Sequence, residues 1–304
     1  MLRRFSDARS YTWLSIVAAL VTMALKFVAY RLTGSVGLLS DAIESVVNLV
    51  AALVALWALW LARRPADEDH HYGHSKAEYF SSGLEGALIL VAAASIVLAA
   101  WPRLFHPQPL AQVGVGLGIS VLSAAINGGV AYLLWQGGKH HRSITLTADA
   151  RHLLTDVWTS VGVVVAVLLV HLTGWLLLDP LIALAVAANV LWTGVQLIRE
   201  SGYGLLDTAL PPADQQTIAR VLEPFRHEGI DFHALRTRSS GARRFISLHV
   251  LVPGSWSVQQ GHDLCERVEM ALRREMAETT VFTHLEPRED PAAWADQGLD
   301  RVLD

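Results

Sequence analysis

The chain has 304 residues, of which 52% are hydrophobic and only 17% are charged, and its mean hydropathy is +0.36. This composition excludes an ordinary soluble domain and is typical of a membrane protein. The formal net charge of -4 and the scattered basic residues argue against nucleic-acid binding, and the single cysteine, Cys265, excludes an intrachain disulfide.

Six long apolar runs occupy the first two thirds of the chain. They cover residues 11–32, 36–62, 84–101, 110–135, 144–172 and 175–198. Each approaches the roughly 20 residues that a helix needs to cross a bilayer. We therefore predict an α-helical membrane protein with a bundle of six transmembrane helices in residues 1–206. The first run lacks a small-residue cleavage site, so we predict a span there and not a signal peptide.

The basic residues of the short loops predict the orientation of the bundle. Nine of them fall on one side of the predicted membrane, namely Arg3, Arg4, Arg9, Arg63, Arg64, Lys76, Lys139, Arg142 and Arg199. Only Arg31 and Arg103 fall on the other side. Because cytoplasmic loops carry the excess of Lys and Arg, we expect a multi-pass protein of the bacterial cytoplasmic membrane with both termini in the cytoplasm.

A small soluble domain is predicted in residues 207–290, after the last apolar run. Residues 214–228 have helical periodicity, and residues 231–239 and 243–252 alternate as strands. The stretch SVQQ (257–260) is typical of a capping box that opens a helix ending near Arg274, and residues 279–287 predict a last strand. The order αββαβ predicts an α+β sandwich. Residues 291–304 are predicted to be a polar tail prone to disorder.

Two polar motifs with the same spacing lie inside the second and fifth apolar runs. SDAIESVVN places Asp41, Glu44 and Asn48 in one, and ADARHLLTD places Asp149, His152 and Asp156 in the other. On a helix, residues four apart share a face, so Glu44 with Asn48 and His152 with Asp156 form two vertical pairs. If the two faces meet, they offer four ligands to a divalent transition metal. The alternative is polar contacts that only join helices.

Further candidate ligands lie outside the predicted membrane. The loop PADEDHHYGHSKAEYF carries six of them: Asp67, Glu68, Asp69, His70, His71 and His74. The soluble domain adds His233, His249, His262, His284 and Glu286. Imidazole with carboxylate suits zinc and its neighbours in the periodic table. A solvated loop without an ion, and structural histidines on strands, are the alternatives to metal sites.

Taken together, these motifs resemble the cation diffusion facilitator family of dimeric metal/proton antiporters. The resemblance extends over GSVGLLSDAIESVVN, the acidic-histidine loop, TADARHLLTDVWTS, LLDTALP, ALRTRSSGARRFISLHV and VFTHLEP, in family order. It is greatest with the bacterial iron/zinc branch. The family fold that it implies is a six-helix bundle followed by a cytoplasmic ferredoxin-like domain that dimerises.

The resemblance implies a role for each set of candidate residues. The transport site would be Glu44, Asn48, His152 and Asp156; the loop site Asp67, His70 and His74; and the cytoplasmic binuclear site His233, His249, His262, His284 and Glu286. Lys76 and Asp207 match a pair that forms an interhelical charge interlock in the family; the alternative is two unrelated surface charges. The resemblance leaves Asp41, Asp149, His71 and Lys26 without a role.

Two departures from the family pattern bear on the choice of metal. The family more often has Asp or His where Glu44 stands, and Asp where Asn48 stands; Glu286 also replaces a more common Asp. An oxygen-rich ligand set favours Fe²⁺ or Mn²⁺, whereas a histidine ligand also suits Zn²⁺, Co²⁺ and Ni²⁺. We expect Zn²⁺ as the principal bound ion, with Fe²⁺, Mn²⁺, Co²⁺, Ni²⁺ and Cd²⁺ as further candidates.

The sequence thus predicts proton-coupled efflux of a divalent metal by a homodimer in the lipid bilayer, with no enzymatic activity. Metal binding requires neutral imidazole and ionised carboxylates, so an ion and protons compete for the same ligands. A membrane-anchored metal sensor or assembly protein is the alternative, although it leaves the two intramembrane motifs unexplained. An intramembrane metalloenzyme is disfavoured because the chain has no HExxH motif.

Overall fold

The computed structural model of the chain describes residues 8–33, 36–106, 113–295 and 297–298. Within these ranges, the structure describes the backbone but not the side chains of residues 29–30, 32–33, 36–44, 47–48, 113, 115–117, 120, 159, 163–164, 166–168, 171 and 179. The chain divides into two compact units, Met1–Tyr203 and Gly204–Asp304.

In its described residues, the first unit contains six long helices. They are α1 (Ala8–Thr33), α2 (Val36–Ala62), α3 (Ala77–Phe105), α4 (Val113–His141), α5 (Ile144–Thr173) and α6 (Leu178–Leu205). Helix α5 packs against α1, α2, α3 and α4, so it lies at the centre of the bundle. Three segments of the described residues, Ala8–Val28, Ala77–Phe105 and Pro180–Leu205, are long and apolar enough to cross a membrane.

The polarity of the bundle is inverted with respect to a soluble protein. Large apolar side chains such as Leu98 and Trp192 are exposed, at 74% and 63%. Polar and ionisable side chains are buried instead, among them Glu85, Asn127 and Asp149. In lipid, apolar groups can face the solvent while polar groups must find partners inside the protein. This distribution supports a multi-pass membrane domain.

Helix α3 begins at Ala77, seven residues before the predicted apolar run. Its first turns carry Glu78, Ser81, Ser82 and Glu85, which lower the local hydropathy although all four side chains are buried. Hydropathy alone therefore places the start of this helix too late.

Buried hydrogen bonds tie the start of α5 to the start of α3. Ser143 is the N-cap of α5, and its Oγ accepts a hydrogen bond from Leu146 N at 3.3 Å. The same hydroxyl donates to Glu78 Oε2, which also accepts from Thr145 N at 3.4 Å. Because a carboxylate is favourable beside the free N–H groups of a helix start, Glu78 fixes where α5 begins.

The second unit has the described order α7 (Pro212–His227), β1 (Asp231–Ser240), β2 (Arg243–Val252), α8 (Val258–Glu275), β3 (Thr279–Pro287) and α9 (Pro291–Trp294). The three strands form one sheet in the order β1-β2-β3, with β1 antiparallel and β3 parallel to β2. The helix α8 makes the crossover that a parallel pair requires. This is the predicted αββαβ order; the short helix α9 lies in the segment predicted to be a polar tail.

Local sequence explains the elements of this unit. Ser257 and Gln260 form both hydrogen bonds of the predicted capping box at the start of α8. The apolar faces of α7, α8 and the sheet bury a common core that includes Ile218, Ile246, Leu264 and Val268. That core holds the sheet on which His233, His249 and His284 lie.

Gly86 provides a test of the packing of α3 against α6. A Cβ at this position would lie 2.7 Å from Ile198 Cγ1 and 3.1 Å from Ile198 N, so backbone as well as side chain obstructs it. We expect Gly86→Ala to lower the free energy of unfolding by about 1–3 kcal/mol, as overpacking does.

The measurement is thermal unfolding of the purified protein in detergent. Gly129→Ala is the matched control, because nothing lies within 4 Å of a Cβ there and alanine favours the helix. Equal melting temperatures for Gly86→Ala and Gly129→Ala would show that α3 and α6 do not pack as described.

Candidate metal centres

Three ionisable side chains form a buried stripe along α5. Asp149, His152 and Asp156 are 2%, 4% and 8% exposed, and their spacing of three and four residues places them on one face. Ser15 Oγ of α1 donates to Asp149 Oδ1 at 3.1 Å, and Asn127 Nδ2 of α4 donates to Asp156 Oδ2 at 3.3 Å. Neighbouring helices thus orient both carboxylates, as outer partners do at metal sites.

The other half of the predicted transport site lies on α2. The backbone of α2 is helical over Val36–Ala62 and packs against α5. The side chains of Asp41, Glu44 and Asn48 lie outside the described residues. The structure therefore brings the two helices together, and the four-ligand set of Glu44, Asn48, His152 and Asp156 stays a prediction.

The loop before α3 brings three of its six candidate ligands together. Asp67 Oδ1 lies 3.1 Å from His70 Nδ1, and Asp67 Oδ2 lies 3.3 Å from His74 Nε2. Their ligand atoms all lie within 4.8 Å of one another, which is close enough to share one ion. These are the three residues predicted for the loop site. Glu68, Asp69 and His71 are exposed and do not belong to this cluster.

Electrostatics keep the Asp67 carboxylate ionised. Partial desolvation acts to raise its pKa, but hydrogen bonds from the backbone and ring of His70, with the nearby His74, lower the pKa below its ordinary value. Because the pKa is lowered, the stabilisation from these interactions is fully present above the ordinary pKa of an aspartate. It is lost as the pH falls through the lowered pKa. An ionised carboxylate is the form that binds a cation.

A second cluster forms on the sheet of the second unit. His233 of β1 pairs directly with His249 of β2, and Glu286 of β3 lies beside them. Glu286 Oε2 lies 2.8 Å from His233 Nε2 and 3.2 Å from His249 Nδ1. These ligand atoms also lie within 4.8 Å of one another, and Glu286 is buried. Two imidazoles and a carboxylate form a set of three zinc ligands.

The strand β1 carries a bulge immediately after His233. The pairing register shifts between His233 and Arg236, and Ala234 adopts a left-handed φ of 48°. An alanine rarely adopts this conformation, and bulges often re-aim a side chain beside a functional site. The bulge therefore lies directly beside His233, the residue whose ring contacts Glu286.

The remaining predicted ligands of this domain are placed differently. His284 Nε2 lies 3.6 Å from Glu286 Oε1, and its ring packs 4.9 Å from the ring of His249, so it borders the cluster. His262 is exposed near the start of α8 and is not among the clustered ligands of the described residues. The binuclear set of five residues stays a prediction.

The predicted interlock joins residues of different units. Lys76 is the N-cap residue of α3, in the first unit. Asp207 lies in the second unit, where its Oδ1 accepts a hydrogen bond from Arg238 Nη1 at 3.0 Å. The pairing of Lys76 with Asp207 stays a prediction.

The sequence alone assigns no role to four further residues, Ser15, Glu78, Glu85 and Asn127. All four are buried in the bundle. Glu85 is recognisable from the sequence, because a carboxylate within the apolar run LEGALIL is costly in a membrane and indicates a functional residue, as Asp149 does. Ser15 and Asn127 are uncharged and therefore cost little to place in an apolar helix, so only their hydrogen bonds to Asp149 and Asp156 of α5 show their role.

Comparisons with known proteins cover both units. The family described as "Cation efflux transmembrane domain" matches residues 12–206, and the family described as "Cation efflux protein, cytoplasmic domain" matches residues 210–288. A Synechocystis protein named an uncharacterised transporter is 58% identical over 94% of this chain and 93% of its own length.

Other relatives carry a more specific name. The cation-efflux pump FieF of Serratia proteamaculans is 33% identical over 88% of this chain and 89% of its own length. FieF of Salmonella arizonae is 31% identical with the same coverage of both chains.

For the loop cluster, we expect Asp67→Asn to lower Zn²⁺ affinity by at least about tenfold, because the change removes the anionic ligand shared by His70 and His74. Isothermal titration calorimetry of the full chain measures the loss of one class of sites. Glu68→Gln is the matched control, since Glu68 is exposed and outside the cluster. Identical titrations for both variants would contradict a loop site.

For the sheet cluster, Glu286→Gln is expected to reduce the rise in melting temperature that Zn²⁺ produces, because ligands that bind only the folded state stabilise it. Glu289→Gln makes the same change three residues later. Glu289 accepts a hydrogen bond from Gly254 N at 2.8 Å, which lowers its pKa, and a glutamine oxygen can accept the same bond. A full Zn²⁺ response in Glu286→Gln would exclude Glu286 as a ligand.

Proposed function

The chain belongs to the cation efflux family, also called the cation diffusion facilitators, and on this premise we propose that it exports Zn²⁺ or Fe²⁺ from the cytoplasm in exchange for protons. The observation that carries the proposal is the buried stripe of Asp149, His152 and Asp156 on the central helix α5. Ionisable groups in a membrane domain mark an ion path when they face the interior of the bundle.

We infer that all six helices of the first unit cross the membrane and that both termini are cytoplasmic. The basic residues of the loops support this orientation. It places the loop cluster of Asp67, His70 and His74 on the cytoplasmic side, together with the sheet cluster. Metal would then reach the bundle from the side on which both clusters lie.

The transport ligands are inferred to be Glu44 and Asn48 of α2 with His152 and Asp156 of α5. The packing of α2 against α5 and the hydrogen bond from Asn127 to Asp156 support this set. Two carboxylates with neutral imidazole and amide give a site charge that one divalent ion neutralises. The relatives named FieF support a cation as the cargo, and the choice between Zn²⁺ and Fe²⁺ belongs to the proposal.

Competition at these ligands would couple metal to protons. A metal ion requires neutral His152 and an ionised Asp156, whereas protons convert both to forms that do not bind it. If the bundle exposes the ligands alternately to the two sides, release of metal on the far side admits protons, which return to the cytoplasm. Alternating access of this kind suits a site at the centre of a bundle.

A homodimer and a ferredoxin-like second domain complete the proposal. The described order αββαβ and the sheet order β1-β2-β3 support that fold for residues 207–290. We infer that metal bound by His233, His249 and Glu286 strengthens the dimer and so favours transport when cytoplasmic metal is high.

Removal of the α5 ligands tests the transport site. We expect His152→Ala and Asp156→Asn each to abolish proton-driven uptake of Zn²⁺ into inverted membrane vesicles, because each removes one of four ligands from the path. His106→Ala is the matched control, since His106 is exposed at the end of α3. Undiminished uptake by both α5 variants, at equal protein levels, would refute the site; uptake without a proton gradient requirement would refute antiport.

A further inference from the structure

A carboxylate outside the proposed transport ligands lies deep in the bundle. Glu85 of α3 is only 1% exposed, and neither of its oxygens has a hydrogen-bond partner among the described residues. An ionised group without a partner in such a place is costly. Packing does not explain it either, because an apolar side chain would fill the same space at lower cost.

A second buried carboxylate, Asp149, lies on α5, the helix that packs against α3. The hydrogen bond from Ser143 to Glu78 joins the starts of the two helices, and Ile89 of α3 and Ala148 of α5 share one buried core. Glu85 lies seven residues after Glu78 and Asp149 six residues after Ser143, a rise of about 10 Å along each helix. Ser15 of α1 donates to Asp149 Oδ1, but Asp149 Oδ2 has no hydrogen-bond partner among the described residues. Both oxygens of Glu85 and one of Asp149 are thus available as ligands.

The charge of this pair suits one divalent cation. Two ionised carboxylates carry two negative charges, and a cation between them removes both the repulsion and the missing contacts. The donors are all oxygens, in contrast to the His152 set, so the pair suits harder ions such as Mn²⁺ and Fe²⁺. Ser15 holds Asp149 in position from a third helix.

We propose that Glu85 and Asp149 form a second divalent-cation site in the bundle, which we call the inner carboxylate site, with Ser15 as a positioning residue. Asp149 precedes His152 by three residues, a rise of about 4.5 Å along the helix axis. An ion can therefore pass between the inner carboxylate site and His152 by a step of about one helical turn. This relay rests on the proposed transport function, whereas binding at the inner carboxylate site does not.

The test counts Mn²⁺ ions bound per chain, by equilibrium dialysis of the full-length protein in detergent against radioactive Mn²⁺. We expect Glu85→Gln and Asp149→Asn each to bind one ion fewer than the unmodified protein. The double variant Glu85→Gln/His152→Ala should lose two ions, because the inner carboxylate site and the transport ligands bind separately.

Glu78→Gln is the matched control. Glu78 is a buried carboxylate two turns earlier on α3, but Ser143 and Thr145 satisfy it and a glutamine oxygen can accept the same bonds. We expect this variant to retain the full number of ions. If Glu85→Gln is not monodisperse in gel filtration, two other variants test the site. We expect Asp149→Asn to bind one Mn²⁺ ion fewer, and the charge-retaining Glu85→Asp to bind the full number.

The possible results separate this inference from the proposed function. If Glu85→Gln and Asp149→Asn bind as many Mn²⁺ ions as the unmodified protein, protons and not a metal ion neutralise the two carboxylates. That result overturns the inner carboxylate site, even where His152→Ala abolishes transport. Conversely, loss of one ion in these variants supports the site even where His152→Ala still transports Zn²⁺, a result that refutes only the proposed transport ligands.

Discussion

The structure depends on how α5 begins. Ser143 and the buried Glu78 satisfy the free N–H groups at the start of this helix and hold it against α3. Since a helix turns by a fixed angle per residue, fixing its first residue also fixes the direction of Asp149, His152 and Asp156. A helix shifted by one residue would turn these groups through about 100°, towards a neighbouring helix or the lipid, where their ionised forms are costly.

The same constraint connects the membrane domain to its chemistry. Groups that are costly to bury persist only if they are compensated, and three of the helices around α5 contribute to this: α1 with Ser15, α4 with Asn127 and α3 with the capping contact of Glu78. Within the described part of the chain, both oxygens of Glu85 and one of Asp149 have no hydrogen-bond partner, which points to a cation or protons as the missing partner.

The sequence predicts regular elements well and contacts between them poorly. The bounds of α2, β2 and β3 match the predicted ranges, because apolar runs, alternation and turn residues are local signals. The predicted apolar run begins seven residues after the start of α3, because the buried Glu78, Ser81 and Ser82 lower the hydropathy of its first turns. The bulge at Ala234 has no sequence signal, since alanine rarely adopts a positive φ. Repeated spacing singled out His152 and Asp156 as candidate ligands, whereas Asn127 became recognisable only through its bond to Asp156.

The proposed transport path requires a metal ion at the α5 ligands. Diffraction from crystals of the whole protein grown with Zn²⁺, recorded on both sides of the zinc absorption edge, locates every bound ion directly. We expect an anomalous peak about 2.1 Å from a ring nitrogen of His152 and within ligand distance of Asp156. Peaks confined to the loop and sheet clusters, with α5 free of metal at saturating Zn²⁺, would contradict it.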